Sequence, residues 1–312
     1  MDNKSQILVL IDFNNVSIEA LDYAAHIAQQ TNKKVIVINV INSGHNEFRL
    51  PFNINFTLDR NPISSFSTYK EYKRNKKKLK DLKLSWNNDH AISKALVHVT
   101  SESPLDTVMK LVDHYEPFML VVPYTKHSDF QQYFSSSFTL DILRKIKIPT
   151  LFIPEGTVLK KIENIVFPSG FSEEVNLDFL HVIKRITNAF NSNLHLVKIL
   201  EDHEQAIDAE IKMRDFAHRK SLRNYQINCI MAEEVHKALG VYQQSVKADL
   251  LCLMTKGKSG VSQLFYSNSI TESLLKNTNK PILSMTLKDN KETYKTMGHQ
   301  QMTNSFINEL TY

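Results

Sequence analysis

Apolar runs and amphipathic stretches alternate along the whole chain. ILVLID (7–12) is a compact apolar run, and KVIVINVI (34–41) is β-branched without alternation, as a strand covered on both faces requires. Between them Ile18, Leu21, Ala24, Ala25 and Ala28 share one helical face, and Ser17 stands where an N-cap is expected. A charged helix over 66–85, a strand at 96–100, a helix at 104–115, a strand at 118–122, a helix at 136–146 and a strand at 150–153 follow. The order then restarts. Strands fall at 163–168, 194–200, 226–231, 249–254 and 281–286, with helices from about 172 to 190 and over 203–221, 233–246 and 269–277. Alternation of this kind implies an α/β fold, with parallel sheets covered by helices on both faces.

The two halves also match residue for residue. Shifting the chain by 132 positions places 118–153 on 250–285 without a gap. Lys126 then meets Lys258, Gln131 meets Gln263, Ser137 meets Ser269, Thr139 meets Thr271, Leu143 meets Leu275 and Pro149 meets Pro281. Leu21-Asp22-Tyr23 and Leu177-Asp178-Phe179 recur on each half's first helix. A duplicated domain accounts for this. The repeat divides the chain into a first domain over 1–154 with an insertion at 42–65, a linker at 155–162, a second domain over 163–287 and a polar tail over 288–312. The tail is either disordered or docked as a short helix through Phe306, Ile307 and Leu310.

Composition narrows the classes. Hydrophobic residues make up 42% of the 312, enough for a sizeable core, but no apolar run reaches the roughly 18–20 residues of a membrane span. The start, MDNKSQILVLID, lacks the basic region and cleavage site of a signal peptide, so a cytoplasmic location is expected. Cys229 and Cys252 lie in strand-like runs outside any C-x-x-C pair, and two buried thiols are expected. The twelve histidines form no H-E-x-x-H, and His181 and His195 lack carboxylates at ligand spacing. No G-x-S-x-G elbow occurs. No catalytic set emerges, and the expectation is a protein that is not an enzyme and holds no metal.

The net charge of +5 is local. Lys70–Lys83 holds eight Lys/Arg against two acids, and the remainder is nearly neutral. The segment 67–86 reads as a helix with Tyr72, Leu79 and Leu82 or Trp86 turned inward. Lys73, Arg74, Lys76, Lys77, Lys78 and Lys80 then form a basic surface. A solvated face is the plain reading, which argues against a nucleic-acid partner. An anionic polymer or membrane surface is the functional one, with Tyr69, Tyr72 and Trp86 available for stacking.

Residues 255–273, TKGKSGVSQLFYSNSITES, contain Gly257-Lys258-Ser259, the ending of a P-loop. That motif needs a further glycine five residues earlier, where Cys252 stands. A different pattern fits better. Strand-Asp-Phe at 7–13, the helix after it, and the strand-loop-helix-Pro-strand ending of each half resemble the universal stress protein family. The resemblance covers about 6–154 and 161–287, in a tandem form. It implies two repeated parallel-sheet domains with adenine nucleotide alpha hydrolase-like or flavodoxin-like layers. Single-domain members pair through their last strands, which implies an intrachain pseudo-dimer here and leaves a further homo-oligomer open.

The family's nucleotide-binding members carry G-x2-G-x9-G-[S/T] after the fourth strand, where bare backbone can approach a triphosphate. In register, this chain has Pro123, Lys126, Ser136 and Ser137 in the first half, and Thr255, Lys258, Asn268 and Ser269 in the second. Gly257 and Gly260 are nearby but out of register. The family's strand-end Asp is Asp12 in the first half and is replaced by Gly170 in the second. The resemblance implies ATP or another adenine nucleotide as the ligand and no other cofactor. The positions that would meet it are Asp12, Lys126, Ser137, Gly257, Lys258, Gly260, Asn268 and Ser269. Lys126 and Lys258 either reach a phosphate as point charges or are solvated loop residues. Three readings stay open. One is a non-enzymatic stress-response protein with a degenerate loop, acting through an unknown protein partner or an atypical small ligand. Another is an ATP- or AMP-binding protein that uses one half. The third is a binder of anionic polymers or membrane surfaces through 67–86.

Overall fold

The structure is a computed structural model and describes residues 5–43, 66–85, 92–125, 136–171, 175–200, 202, 205–255 and 268–286. Ten strands and eight helices lie among them. The first half contains β1 (Gln6–Leu10), α1 (Asn15–Thr31), β2 (Lys34–Asn42), α2 (Phe66–Ser85), β3 (Ile92–Thr100), α3 (Pro104–Tyr115), β4 (Met119–Tyr124), α4 (Ser136–Lys145) and β5 (Thr150–Pro154). The second repeats the order with β6 (Asn164–Pro168), α5 (Leu177–Phe190), β7 (Asn193–Leu200), α6 (Ala206–Arg219), β8 (Tyr225–Met231), α7 (Val235–Ser245), β9 (Leu250–Thr255), α8 (Asn268–Asn277) and β10 (Ile282–Thr286). Every strand and helix expected from periodicity is present.

By packing, the described residues form two compact units that divide between Leu120 and Val121. In the first unit β3, β2 and β1 are parallel neighbours in that order. Ile7, Leu8, Val9, Val35, Ile36 and Val37 are buried on both faces of this sheet, as their unbroken apolar runs require. The layer over β2 contains two buried amides. Asn75 Nδ2 of α2 donates to Asn39 Oδ1 at 2.9 Å, and Asn39 Nδ2 donates to the Ile11 carbonyl at 2.8 Å. This relay ties α2 to β2 and to the turn after β1, and it satisfies groups that would be costly to bury alone.

In the second unit the order is β5-β10-β9-β6-β7-β8. β5 and β10 are antiparallel, and the other neighbouring pairs in this order are parallel. The register of the antiparallel seam pairs Thr150 with Ser284, Leu151 with Leu283 and Phe152 with Ile282. Leu151 and Leu283 are equivalent positions in the repeat, so the seam is centred on a local two-fold. Across it, Arg144 of α4 meets Glu272 of α8 at 2.7 Å, and Thr286 Oγ1 donates to the Leu143 carbonyl at 2.6 Å. The last strands of the two repeats thus pair within one chain. Division by packing keeps this seam inside the second unit, whereas division by repeat assigns its two strands to different domains, so the two boundaries describe different properties.

Several local expectations change. The N-cap of α1 is Asn14, not Ser17. Asn14 Oδ1 accepts from the Ser17 N–H at 2.7 Å, and Ser17 Oγ donates back to the Asn14 carbonyl at 3.0 Å. Helix α5 starts at Leu177, capped by Asn176, rather than near residue 172. β3 begins at Ile92 and is longer than the apolar run 96–100. On α2, Leu79 is buried and Tyr72 and Leu82 are half-buried, while Asn75 and Thr68 share the inner face. Cys252 is buried as expected, but Cys229 is only half-buried. Most of the 42–65 insertion, Trp86 and the 288–312 tail lie outside the described residues.

Candidate functional site

Ligands of open α/β sheets sit beyond the carboxyl ends of the strands. The turn after β1 and the turn after β6 occupy that position in each half, and they share one backbone. The Ile11 N–H donates to the Ile38 carbonyl at 2.9 Å, and the Ser169 N–H donates to the Val197 carbonyl at 3.1 Å. Phe13 and Phe171 both adopt a left-handed conformation, with φ of 66° and 53°. Asp12 and Gly170 are therefore equivalent, as are Asn39 and Lys198, each the next residue after the accepting carbonyl.

Asp12 lies two residues beyond the end of β1, in the turn itself. Both carboxylate oxygens are engaged locally. Oδ1 accepts from the Asn14 N–H at 3.1 Å, and Oδ2 accepts from Asn14 Nδ2 at 2.9 Å. Burial raises the carboxyl above its ordinary value, while the bonds from Asn14 and Ser17 and the charge of Lys78 pull the other way. Lys78 Nζ stands 5.0 Å from the centre of the Phe13 ring. The family's strand-end acid is thus present, with each oxygen accepting one local hydrogen bond from Asn14.

The second turn differs in two side chains. Gly170 has no carboxylate, and Lys198 Nζ donates to the Gly170 carbonyl at 3.2 Å. Lys198 is half-buried on β7 and pairs in register with Cys229 of β8. Burial lowers the Lys198 amine below its ordinary value and Lys212 acts in the same direction, against Cys229 and Asp208. An acid above an amide in the first half has become a glycine above an ammonium in the second.

Of the loop positions, Ser137 is exposed in the first turn of α4. Asn268 and Ser269 begin α8. Pro123 lies in β4 and Thr255 ends β9, so the first motif position of each half belongs to a strand. Lys126, Gly257, Lys258 and Gly260 lie outside the described residues.

The family model for universal stress proteins matches residues 5–154. These residues belong to the universal stress protein family. A comparison with curated protein sequences gave no match. Among solved structures, a universal stress protein from Archaeoglobus fulgidus DSM 4304 is similar with a TM-score of 0.66 at 14% identity, over 92% of this chain and all of that one. A second structure under that family name, from Pseudomonas aeruginosa UCBPP-PA14, has a TM-score of 0.57 at 12% identity, over 91% of this chain and 94% of its own. The cytoplasmic domain of a prokaryotic cation chloride cotransporter reaches 0.51 at 9%, over 90% and 95%. At these identities the likeness concerns the fold, and it extends over both halves.

The other candidate chemistry is sparse beside this universal stress protein frame. No group of three metal-ligating side chains occurs among the described residues, and no described helix is long and apolar enough to cross a membrane. His195 is buried, with Nδ1 3.0 Å from the Tyr242 hydroxyl and Nε2 3.4 Å from Asn164 Oδ1. Burial lowers the imidazole below its ordinary value and pushes Tyr242 up to about 12. The pair fastens α7 to the start of β7. His181 is exposed. On α2, Lys73, Arg74, Lys77, Lys78 and Lys80 are exposed and make no ion pair among the described residues, while Lys76 is half-buried with Nζ 5.6 Å from the Tyr72 ring. Several exposed cations of other helices are paired, as in Lys212–Asp208, Arg219–Asp215 and Lys237–Glu234. Sequence reading missed Asn39, Asn75 and Lys198. A polar residue inside a β-branched run is the signal that could have found the first and the last.

Proposed function

We propose that this chain is a non-enzymatic cytoplasmic stress protein whose nucleotide position is degenerate, and that it acts through protein contacts or an atypical small ligand. The observation that supports this is the pair of strand-end turns. One carries the family's acid with both oxygens already bonded to Asn14. The other replaces that acid with Gly170 and puts Lys198 beside it. Only one half keeps a carboxylate at this position, and that carboxylate is already held by Asn14. The loop sequence agrees, since three of the four motif positions in each half depart from the family pattern. Denaturing the purified protein and analysing the small molecules released tests this reading against one in which a single half holds ATP or AMP. No adenine nucleotide is expected.

A second reading rests on α2. Five exposed cations that make no ion pair among the described residues occupy one helix, and of its described apolar side chains only Leu84 is exposed. A membrane-surface helix needs an apolar face to insert, so an anionic polymer suits this surface better than a lipid bilayer. On this reading heparin, as a probe polyanion, binds with a steep salt dependence. Lys73→Glu, Lys77→Glu and Lys80→Glu together are expected to abolish that binding in a fluorescence titration while leaving the melting temperature nearly unchanged. Retained binding by the triple variant would remove α2 from the account.

A further inference from the structure

We propose that the outer edge of β8 is a dimer interface, at which a second copy of this chain pairs its own β8 antiparallel across a two-fold axis at Asn228. This goes beyond the proposed function and does not depend on whether a nucleotide binds.

β8 ends the strand order of the second unit. No residue of Tyr225–Met231 is fully buried, whereas β5 and β10 are buried at every position. The ladder to β7 fixes which backbone groups face outward. The Leu194 N–H donates to the Asn224 carbonyl at 2.8 Å, and the Ala232 N–H donates to the Leu200 carbonyl at 3.0 Å. Between these bonds the register runs without a shift, from Leu194–Tyr225 to Leu200–Met231. Successive residues of a strand direct their N–H and C=O groups to opposite edges. Gln226, Asn228 and Ile230 therefore face β7. Tyr225, Ile227, Cys229 and Met231 face the outer edge, and their backbone groups meet no backbone partner there among the described residues.

Sheet edges are commonly blocked by charge, proline or a bulge. β3, the edge strand of the first unit, has Lys94 and His98, and its register against β2 shifts between Val35 and Ile36. β8, YQINCIM, has no charge, no proline and no shift. Seven residues of open, neutral edge are suited to a partner strand.

A second copy fits because the strand is complementary to itself. With the axis at Asn228, Tyr225 faces the second copy's Met231, and Ile227 faces the second copy's Cys229. All four outward residues then exchange reciprocal hydrogen bonds. An axis at Ile227 or Cys229 leaves an outward residue without a β8 partner. Cys229 Sγ lies 4.0 Å from the Ala206 carbonyl, so the outward-bonding residues project on the α6 face, where every cross-strand pair is apolar. No like charges meet, since the strand has none. Asn228 faces its own copy in a pair of the closer kind, about 4.5 Å between Cα atoms. Its Nδ2 is buried and has no acceptor among the described residues. The second copy's Asn228 brings an amide oxygen beside this donor, which is costly to leave unpaired.

Sedimentation velocity of the full chain at high micromolar concentration is expected to show a dimer. Ile227→Pro removes one outward N–H and no bond to β7. It is expected to weaken dimerisation about tenfold or more. In a Cys229→Ser background, Asn228→Cys is expected to form an intermolecular disulfide under mild oxidation, because the pair at the axis lies within disulfide reach. If Ile227→Pro does not fold, this cross-link decides. A monomeric wild-type chain would overturn the interface and leave the edge to a different protein. A dimer that Asn228→Cys fails to trap, or that a folded Ile227→Pro leaves unchanged, would place the contact elsewhere and overturn it equally.

Discussion

Replacing Asp249 with alanine is expected to destabilise the protein by about 2 kcal/mol, the loss of a buried acceptor serving two part-buried donors at about 1 kcal/mol each. Asp249 is 5% exposed at the start of β9. Its Oδ2 accepts from the backbone N–H groups of Glu163 at 2.8 Å and Asn164 at 3.1 Å, and its Oδ1 meets Lys160 Nζ at 2.5 Å. One side chain thus fastens the end of the linker to the central strands of the second unit. Alanine leaves both N–H groups without an acceptor. Lys160 is 54% exposed, so its charge is screened and its removal is expected to cost at most about 1 kcal/mol. Urea denaturation of Asp249→Ala and Lys160→Ala measures the contrast. Equal losses would show that the ion pair, and not the backbone clamp, carries the effect.

Leu283→Ala is expected to cost about 3 kcal/mol, within the range for a fully buried leucine. Leu283 is 0% exposed and faces Leu151 at the centre of the β5–β10 seam. Because the two leucines are equivalent in the repeat, Leu151→Ala is expected to cost a similar amount. The double variant should lose less than the sum of the two, since neighbouring truncations share one cavity. Equilibrium unfolding of the three variants checks both points. Full additivity would argue that the two leucines do not pack as a pair.

The order of elements was legible because burial on both faces forces long apolar runs such as KVIVINVI, rich in β-branched residues, and LLCLM. The repeat was legible because α4 and α8 keep the same inward positions, with Thr139, Leu143, Thr271 and Leu275 all buried. Cap chemistry was less so. Asn14 and Ser17 are both cap residues, and only the bond from the Ser17 N–H to Asn14 Oδ1 decides between them. Long-range polar partners were not legible at all. Asn39 and Asn75 are 36 residues apart and meet only through tertiary packing. Asp249 opens the expected strand 249–254, and nothing in that position reveals that it serves backbone donors 85 and 86 residues away. Asp12 was found, but that its carboxylate is held by Asn14 follows from the conformation of the turn, not from the order of residues. The contrast between Asn39 and Lys198 needed the register of β2 and β7, which a gapless repeat alignment over 118–153 does not reach.

The most direct test of the account is to purify the full chain, denature it, and identify the released small molecules by chromatography and mass spectrometry. The degenerate strand ends predict no stoichiometric adenine nucleotide, and no shift in melting temperature on adding millimolar ATP. Recovery of ATP or AMP at one molecule per chain would contradict the account and make 255–273 a working, altered phosphate loop.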